Sequence, residues 1–232
     1  MADIFHEIQE DMRRERFRGL WNRFGVHFIV LVVLVIAGTA GWRGYVAWQD
    51  SKARAGGDQF YAALETASKG DHKAAIDALN QLVGETGGGY AILGRFRVAA
   101  EQATAGDTAA AIAGFDAIAA DGSVPVLYRN LAHVRAGYLA LAGSDPKAAA
   151  ARVSSLAGEA GGPWRQPARE IMGLAAYAGG DLATARRYFT DIIGDADGPR
   201  EAAERARIML SLIQAASGPV EVRPAPATGN GS

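Results

Sequence analysis

Hydrophobic residues follow two different patterns along this chain. From Phe24 to Trp42, the stretch FGVHFIVLVVLVIAGTAGW runs without Asp, Glu, Lys or Arg. Beyond residue 58 the apolar positions recur every three or four residues, the period of helices that bury one face. The first pattern predicts a helix of about 28 Å at about 1.5 Å per residue, close to the roughly 30 Å of a bilayer's hydrocarbon core. A buried core helix would be interrupted by polar positions, and this run is not. The chain is therefore expected to be all-α, with one transmembrane helix over residues 24–48 ahead of a helical domain.

The flanks of the run refine that expectation. Trp21, Trp42, Tyr45 and Trp48 suit the amphipathic belts at the two membrane interfaces, and His27 lies near the N-terminal boundary. Gly38-Thr39-Ala40 offers the small-x-small pattern that signal peptidase accepts, but the leader and the apolar run are both long for a cleaved signal. Arg13, Arg14, Arg16, Arg18 and Arg23 precede the run, whereas only Arg43, Lys52 and Arg54 follow closely. Lysine and arginine are retained on the cytoplasmic side, so the N-terminus is expected inside and the larger part outside. Within residues 1–23, acids (Asp3, Glu7, Glu10, Asp11) come first and arginines last, matching a helix macrodipole. Ile4, Phe5, Ile8 and Met12 give that leader an apolar stripe, fit for lipid headgroups or a docking partner. Residues 49–57 are polar and end in Gly56-Gly57, which reads as a hinged linker.

The second pattern repeats. KGDHKAAIDALNQLV, AGDTAAAIAGFDAIA, GSDPKAAAARVSSLA and GGDLATARRYFTDII align on Asp71, Asp107, Asp145 and Asp181, spaced 36, 38 and 36 residues apart. Each Asp follows a turn with Gly70, Gly106, Gly143 or Gly180 and is placed to cap the next helix through its side-chain oxygen. Pro146 occupies the first helical position after Asp145, where a missing N–H costs nothing. Four residues past each Asp stands an alanine: Ala75, Ala111, Ala149 and Ala185. Larger apolar residues follow at Leu79, Phe115, Val153 and Phe189, then at Leu82, Ile118, Leu156 and Ile192. Twelve residues before each alanine is another small residue: Ala63, Ala99, Gly137 and Gly173. Small residues at both positions let the two helices of a hairpin approach closely.

This pattern resembles the tetratricopeptide repeat, whose helix pairs recur at about 34 residues with small and aromatic key positions. It predicts a solenoid of about four helical hairpins over residues 58–217, with its longer loops at GETGGGY and AGEAGGPW. Glu201 to Ala216 would close the open end, and residues 218–232, rich in Pro, Gly and Ala, are expected to be a disordered tail. Phe60, Phe96, Tyr138, Leu141, Leu174 and Tyr177 fall near the inner face of the first helices. They form a candidate groove for an extended segment or a partner helix, or else pack between hairpins.

Composition narrows the chemistry. With 24 basic and 25 acidic residues and a net charge of −1, bulk electrostatics does not invite nucleic acid. The chain has no cysteine, which excludes disulfides, thiolate chemistry and zinc–cysteine or iron–sulfur sites. His6-Glu7 begins like a zinc-protease motif, but Glu10 stands where its second histidine belongs. His72 and His133 have no matching metal-ligand pattern, Gly87-Gly88-Gly89 lacks the lysine of a phosphate loop, and Asp195 to Gly198 is an incomplete calcium loop. Neither catalysis nor a cofactor is expected; the function should be binding.

The order of parts carries a second resemblance. Gly41-Trp42-Arg43 at the membrane exit, GGYAILGRFRVAAEQATAGDTAAAIAGFDAI in the second hairpin and GDLATARRYF in the fourth are similar to the ancillary SecYEG translocon subunit family, the YfgM-like proteins of bacterial inner membranes. The resemblance implies a non-enzymatic, single-pass protein with a cytoplasmic N-terminus and a periplasmic domain. Its implied partners are SecYEG and a membrane-anchored prolyl-isomerase-like chaperone, and its implied task is passing secreted chains onward. A tether in another envelope assembly, such as cell division or cytochrome maturation, would have the same architecture.

Overall fold

The computed structural model describes residues 3–216, with side chains from residue 25 onward. The readings of the leader's side chains and of residues 218–232 lie outside the described residues. Nine helices, and no strand among the described residues, follow in order: α1 (Asp3–Ser68), α2 (His72–Glu85), α3 (Gly88–Thr104), α4 (Thr108–Ala120), α5 (Val126–Ala142), α6 (Pro146–Ala157), α7 (Arg165–Ala178), α8 (Leu182–Ile193) and α9 (Arg200–Ala216). The chain forms two compact units that divide between Ala55 and Gly56.

In the first unit, α1 is long and apolar enough, by length and composition, to cross a membrane. Its large apolar side chains from Val26 to Ile36 are 39–73 % exposed, so no protein core absorbs them. Thr39 donates to the carbonyl of Val35 at 2.7 Å, satisfying the one hydroxyl in the run within the helix itself. Trp42, Tyr45 and Trp48 stack along one side with centroids 6.4 and 6.1 Å apart, and the Lys52 ammonium sits 4.3 Å from the Trp48 ring.

Residues 49–57 are helical, where the sequence suggested a hinge. The reason is packing within the second unit. A Cβ at Gly57 would lie 2.9 Å from the Tyr90 hydroxyl, and one at Gly56 would lie 3.3 Å from the Thr86 methyl. This glycine pair makes room for Tyr90 and Thr86.

The second unit is a run of hairpins. The end of α1 pairs with α2, α3 with α4, α5 with α6, and α7 with α8, while α9 packs on α8 and α7. Each turn inside a hairpin is built by its aspartate. Asp71, Asp107, Asp145 and Asp181 accept a hydrogen bond from the backbone N–H three residues on, at 2.9–3.0 Å. Three of them also close the preceding helix, since the N–H groups of Asp107, Asp145 and Asp181 donate to the carbonyls of Gln102, Ala140 and Ala176. One residue thus ends one helix and starts the next. Replacing Asp107 by Ala costs about 1 kcal/mol through the lost cap alone.

The chain must turn left-handed just before each aspartate. Gly70, Gly106 and Gly180 do so with φ of 89°, 91° and 80°. In the third hairpin the left-handed residue is Ser144, with φ 63°, while Gly143 keeps a negative φ. The sequence pointed to Gly143 as the turn residue; the position equivalent to Gly106 and Gly180 is Ser144, so the left-handed conformation falls to a serine.

Packing between the helices follows the small positions. Ala63, Ala75, Ala99, Ala111, Gly137, Ala149, Gly173 and Ala185 are all buried. At Gly173 a Cβ would come within 2.8–3.1 Å of the Phe189 ring, which lies flat on the bare backbone of α7. At Gly137 it would meet the Ile171 Cδ1 at 3.1 Å and a Val153 methyl at 3.3 Å. Phe189, Leu79, Leu82, Ile118, Ile171 and Val153 fill the space so created. Each contributes about 1.5–3 kcal/mol by leaving water.

Candidate interaction surface

The first helices of the hairpins carry the residues singled out from the sequence, and the structure divides them. Phe60 packs on Ala63, Leu79 and Leu82 and against the Tyr90 ring at 6.4 Å. Phe96 lies 5.7 Å from Phe115 and meets Tyr128 edge-on at 6.5 Å. Leu141 packs on the core cluster around Val153 and Ile171, and Leu174 and Tyr177 pack on the one around Phe189 and Ile213. These five are half-buried between helices. Tyr138 stands at the surface, 36 % exposed.

Around Tyr138 the first helices are tied by a polar chain. Its hydroxyl is 3.2 Å from Glu170 Oε2 on α7, and Glu170 accepts two hydrogen bonds from Arg205 on α9, at 2.8 and 2.7 Å. Burial, reinforced by the Glu170 charge, pushes the Tyr138 phenol above its ordinary range, so it remains a neutral donor. Toward α3 the surface stays open. Leu93 on α3 and Val126, Leu127, Tyr128 and Tyr138 on α5 are exposed apolar or aromatic side chains. Arg135 lies on the same side of α5 as Leu127 and Tyr138 by helical spacing, and it is exposed. Large, low-entropy side chains beside a guanidinium are a surface suited to protein contact.

A second feature of the first helices escaped the sequence reading. Four residues before each buried small position stands Gln59, Arg95, His133 or Arg169, and twenty-six residues after it stands Glu85, Asp121, Glu159 or Asp195. Gln59 donates to Glu85 at 3.2 Å. Arg95 bonds Asp121 at 2.7 Å and the Ala117 carbonyl at 3.3 Å. Arg169 reaches Asp195 at 3.5 Å and the Asp191 carbonyl at 3.3 Å. Each is a clip from a first helix to the C-terminal end of its partner helix, and the two arginines also donate to last-turn carbonyls, which have no N–H donor within the helix itself. The repeated offset of 26 between a hydrogen-bond donor and an acid was the signal available in the sequence.

The clips have unequal surroundings. Hydrogen bonds from Ser123 and then Arg95 hold the Asp121 carboxyl down at about 2. Asp195 is also bound by Arg165 at 2.5 Å and by the amide of buried Gln166. Asp195 thereby engages cations of the protein itself. His133 makes no such clip. Among the described residues no group of three His, Asp or Glu side chains is arranged to hold a metal ion.

The buried carboxylate of Glu101 accepts from Arg97 at 2.5 Å and meets His72 Nδ1 at 2.7 Å, joining α3 to the start of α2. These groups tie one helix to another.

The chain is similar to two crystal structures of nearly identical TPR-like repeats from a Podosopora anserina protein described as a kinesin light chain, one of them a single-substitution variant. The identities are 13 % and 14 % and the TM-scores 0.49 and 0.46, with 68 % and 69 % of this chain and 92 % and 95 % of the others covered. No curated protein matches. A family model, the tetratricopeptide repeat-like domain, matches residues 18–210. A repeat fold of this kind is typically a non-enzymatic scaffold for protein–protein contact, and by that match the chain belongs to the tetratricopeptide repeat-like domain family.

Proposed function

We propose that this protein is a membrane-anchored adaptor whose repeat domain docks protein partners on the open first-helix surface around Tyr138. The observation that carries the reading is the run of exposed apolar side chains from Val26 to Ile36, joined in one chain to a repeat domain that offers a surface but no reaction centre. Residues 24–48 span a bacterial inner membrane, with the arginine-rich end in the cytoplasm and the repeat domain in the periplasm. Trp42, Tyr45 and Trp48 mark the outer interface, where Lys52 over Trp48 faces the headgroups. Docking uses Leu93, Leu127, Tyr128 and Tyr138. Phe60, Phe96, Leu141, Leu174 and Tyr177 hold the helices that present them.

Within this class, the resemblance of the membrane exit and of hairpins two and four supports an ancillary subunit of the SecYEG translocon. It would work beside a membrane-anchored prolyl-isomerase-like chaperone. Photocrosslinking from Leu127 and Tyr138 in living cells tests the assignment. SecY or that chaperone among the captured proteins supports it. Capture only of division or cytochrome-maturation proteins replaces the partner and keeps the adaptor, whereas a repeat domain found in the cytoplasm overturns the reading.

A further inference from the structure

The third hairpin differs from its sisters at the clip. In hairpins two and four, the guanidinium of Arg95 or Arg169 ties the first helix to a carbonyl and an acid at the end of the second helix. The corresponding residue of α5 is His133, and the corresponding positions after it are Ser155 and Glu159. The imidazole is too short to reach so far. Glu159 lies instead over Gly162, where its carboxylate occupies the space of a Cβ. His133 Nδ1 and Arg129 Nε, four residues apart on α5, are both buried without a hydrogen-bond partner.

The charges that act on His133 lie on α4, α5 and α6. Asp116 on α4 is engaged by Arg152 on α6 through two hydrogen bonds, at 3.0 and 2.7 Å, and Arg129 lies on α5 itself. Two guanidinium groups therefore face the imidazole, and the nearby carboxylate is already paired. The same hairpin turns through Ser144 in a left-handed conformation, which costs a non-glycine residue more than it costs Gly106 or Gly180 in the sister turns.

We propose that the α5–α6 hairpin is a pH-sensitive joint of the repeat domain, loosened when His133 takes up a proton beside Arg129 and Arg152. Near neutral pH the imidazole is uncharged and the hairpin is closed. A proton adds a third cation to a half-buried site with one committed carboxylate, and the site relieves it by opening to water. Burial lowers the affinity of His133 for the proton in the folded state. Its contribution to stability is thus complete above its ordinary value of 6.5 and is lost as pH falls from there toward the lowered value. Because α5 carries Leu127, Tyr128, Arg135 and Tyr138, opening this hairpin also alters the docking surface. The joint stands independently of who the partner is.

Hydrogen exchange of the full-length protein in phospholipid nanodiscs, at pH 7.5 and 5.5 with times scaled for intrinsic chemistry, tests the joint. Opening of residues 126–157 should rise by up to about tenfold per pH unit below 6.5, with α7 and α8 changing far less. His133→Gln should remove that difference. Equal changes in all hairpins, or a difference that survives His133→Gln, overturn the proposal. Titration of the ¹³C-labelled histidines of the wild-type chain provides a second arm that needs no variant to fold. One midpoint must fall below the ordinary value; four ordinary midpoints overturn it.

Discussion

Hairpins three and four have the same helix lengths to within three residues and the same capping scheme, yet they are held together differently. In hairpin four, Phe189 lies on Gly173, Gly180 makes the left-handed turn, and Asp195 collects Arg165, Gln166 and Arg169. In hairpin three, Val153 and Ile171 face Gly137, a serine makes the turn, and the clip is absent. The apolar repeat forms both hairpins, whereas the polar clip within the hairpin is made in one and not in the other. Hairpin two shows how durable such a clip is. Asp121, held down at about 2, stays charged in the folded state until pH nears that figure, and its contribution to stability is lost only as pH falls from the ordinary carboxylate value of 3.8 toward it.

The sharpest way to break this contrast is at the clip acids. Asp195→Ala leaves Arg165 and buried Gln166 without their acceptor and takes the carboxylate from Arg169, and should cost about 3–5 kcal/mol. Glu159→Ala, the same position one hairpin earlier, should stay within about 0.5 kcal/mol. Thermal melts of the two variants followed by circular dichroism decide it; equal losses would mean that Glu159 also serves as a clip.

The glycines give the next effect. Gly173→Ala drives a methyl into the Phe189 ring and should cost about 1–3 kcal/mol, less roughly 1 kcal/mol regained from helix propensity. Gly137→Ala meets the flexible end of Ile171 and should come out near neutral, so the melting order of the pair reads how rigid each contact is.

The smallest effect runs the other way. Ser144→Gly removes left-handed strain and should stabilise by about 1 kcal/mol, with the gain seen as slower exchange in α5 and α6. A loss of stability there would show that the Ser144 conformation carries no strain.

Most of the architecture was legible before any coordinates, and for a physical reason. The aspartate caps, the small positions and the larger apolar residues act between near neighbours along one helix or one tight turn, so their spacing alone determines what they do. The fixed recurrence of Asp71, Asp107, Asp145 and Asp181 placed every hairpin of the domain. The same holds for the apolar run of α1, whose length and lack of charge are local properties.

Only tertiary structure decided which aromatics face water. Phe96 and Tyr138 have similar chemistry and both lie on first helices. One meets Phe115 and Tyr128, and the other reaches Glu170 and Arg205 across two further helices. It also decided that Gly56 and Gly57 make room for Tyr90, and that Arg95 and Arg169 find acids where His133 finds none. Those outcomes depend on side-chain reach and helix rotation between segments 20 to 40 residues apart, which spacing along one chain does not encode.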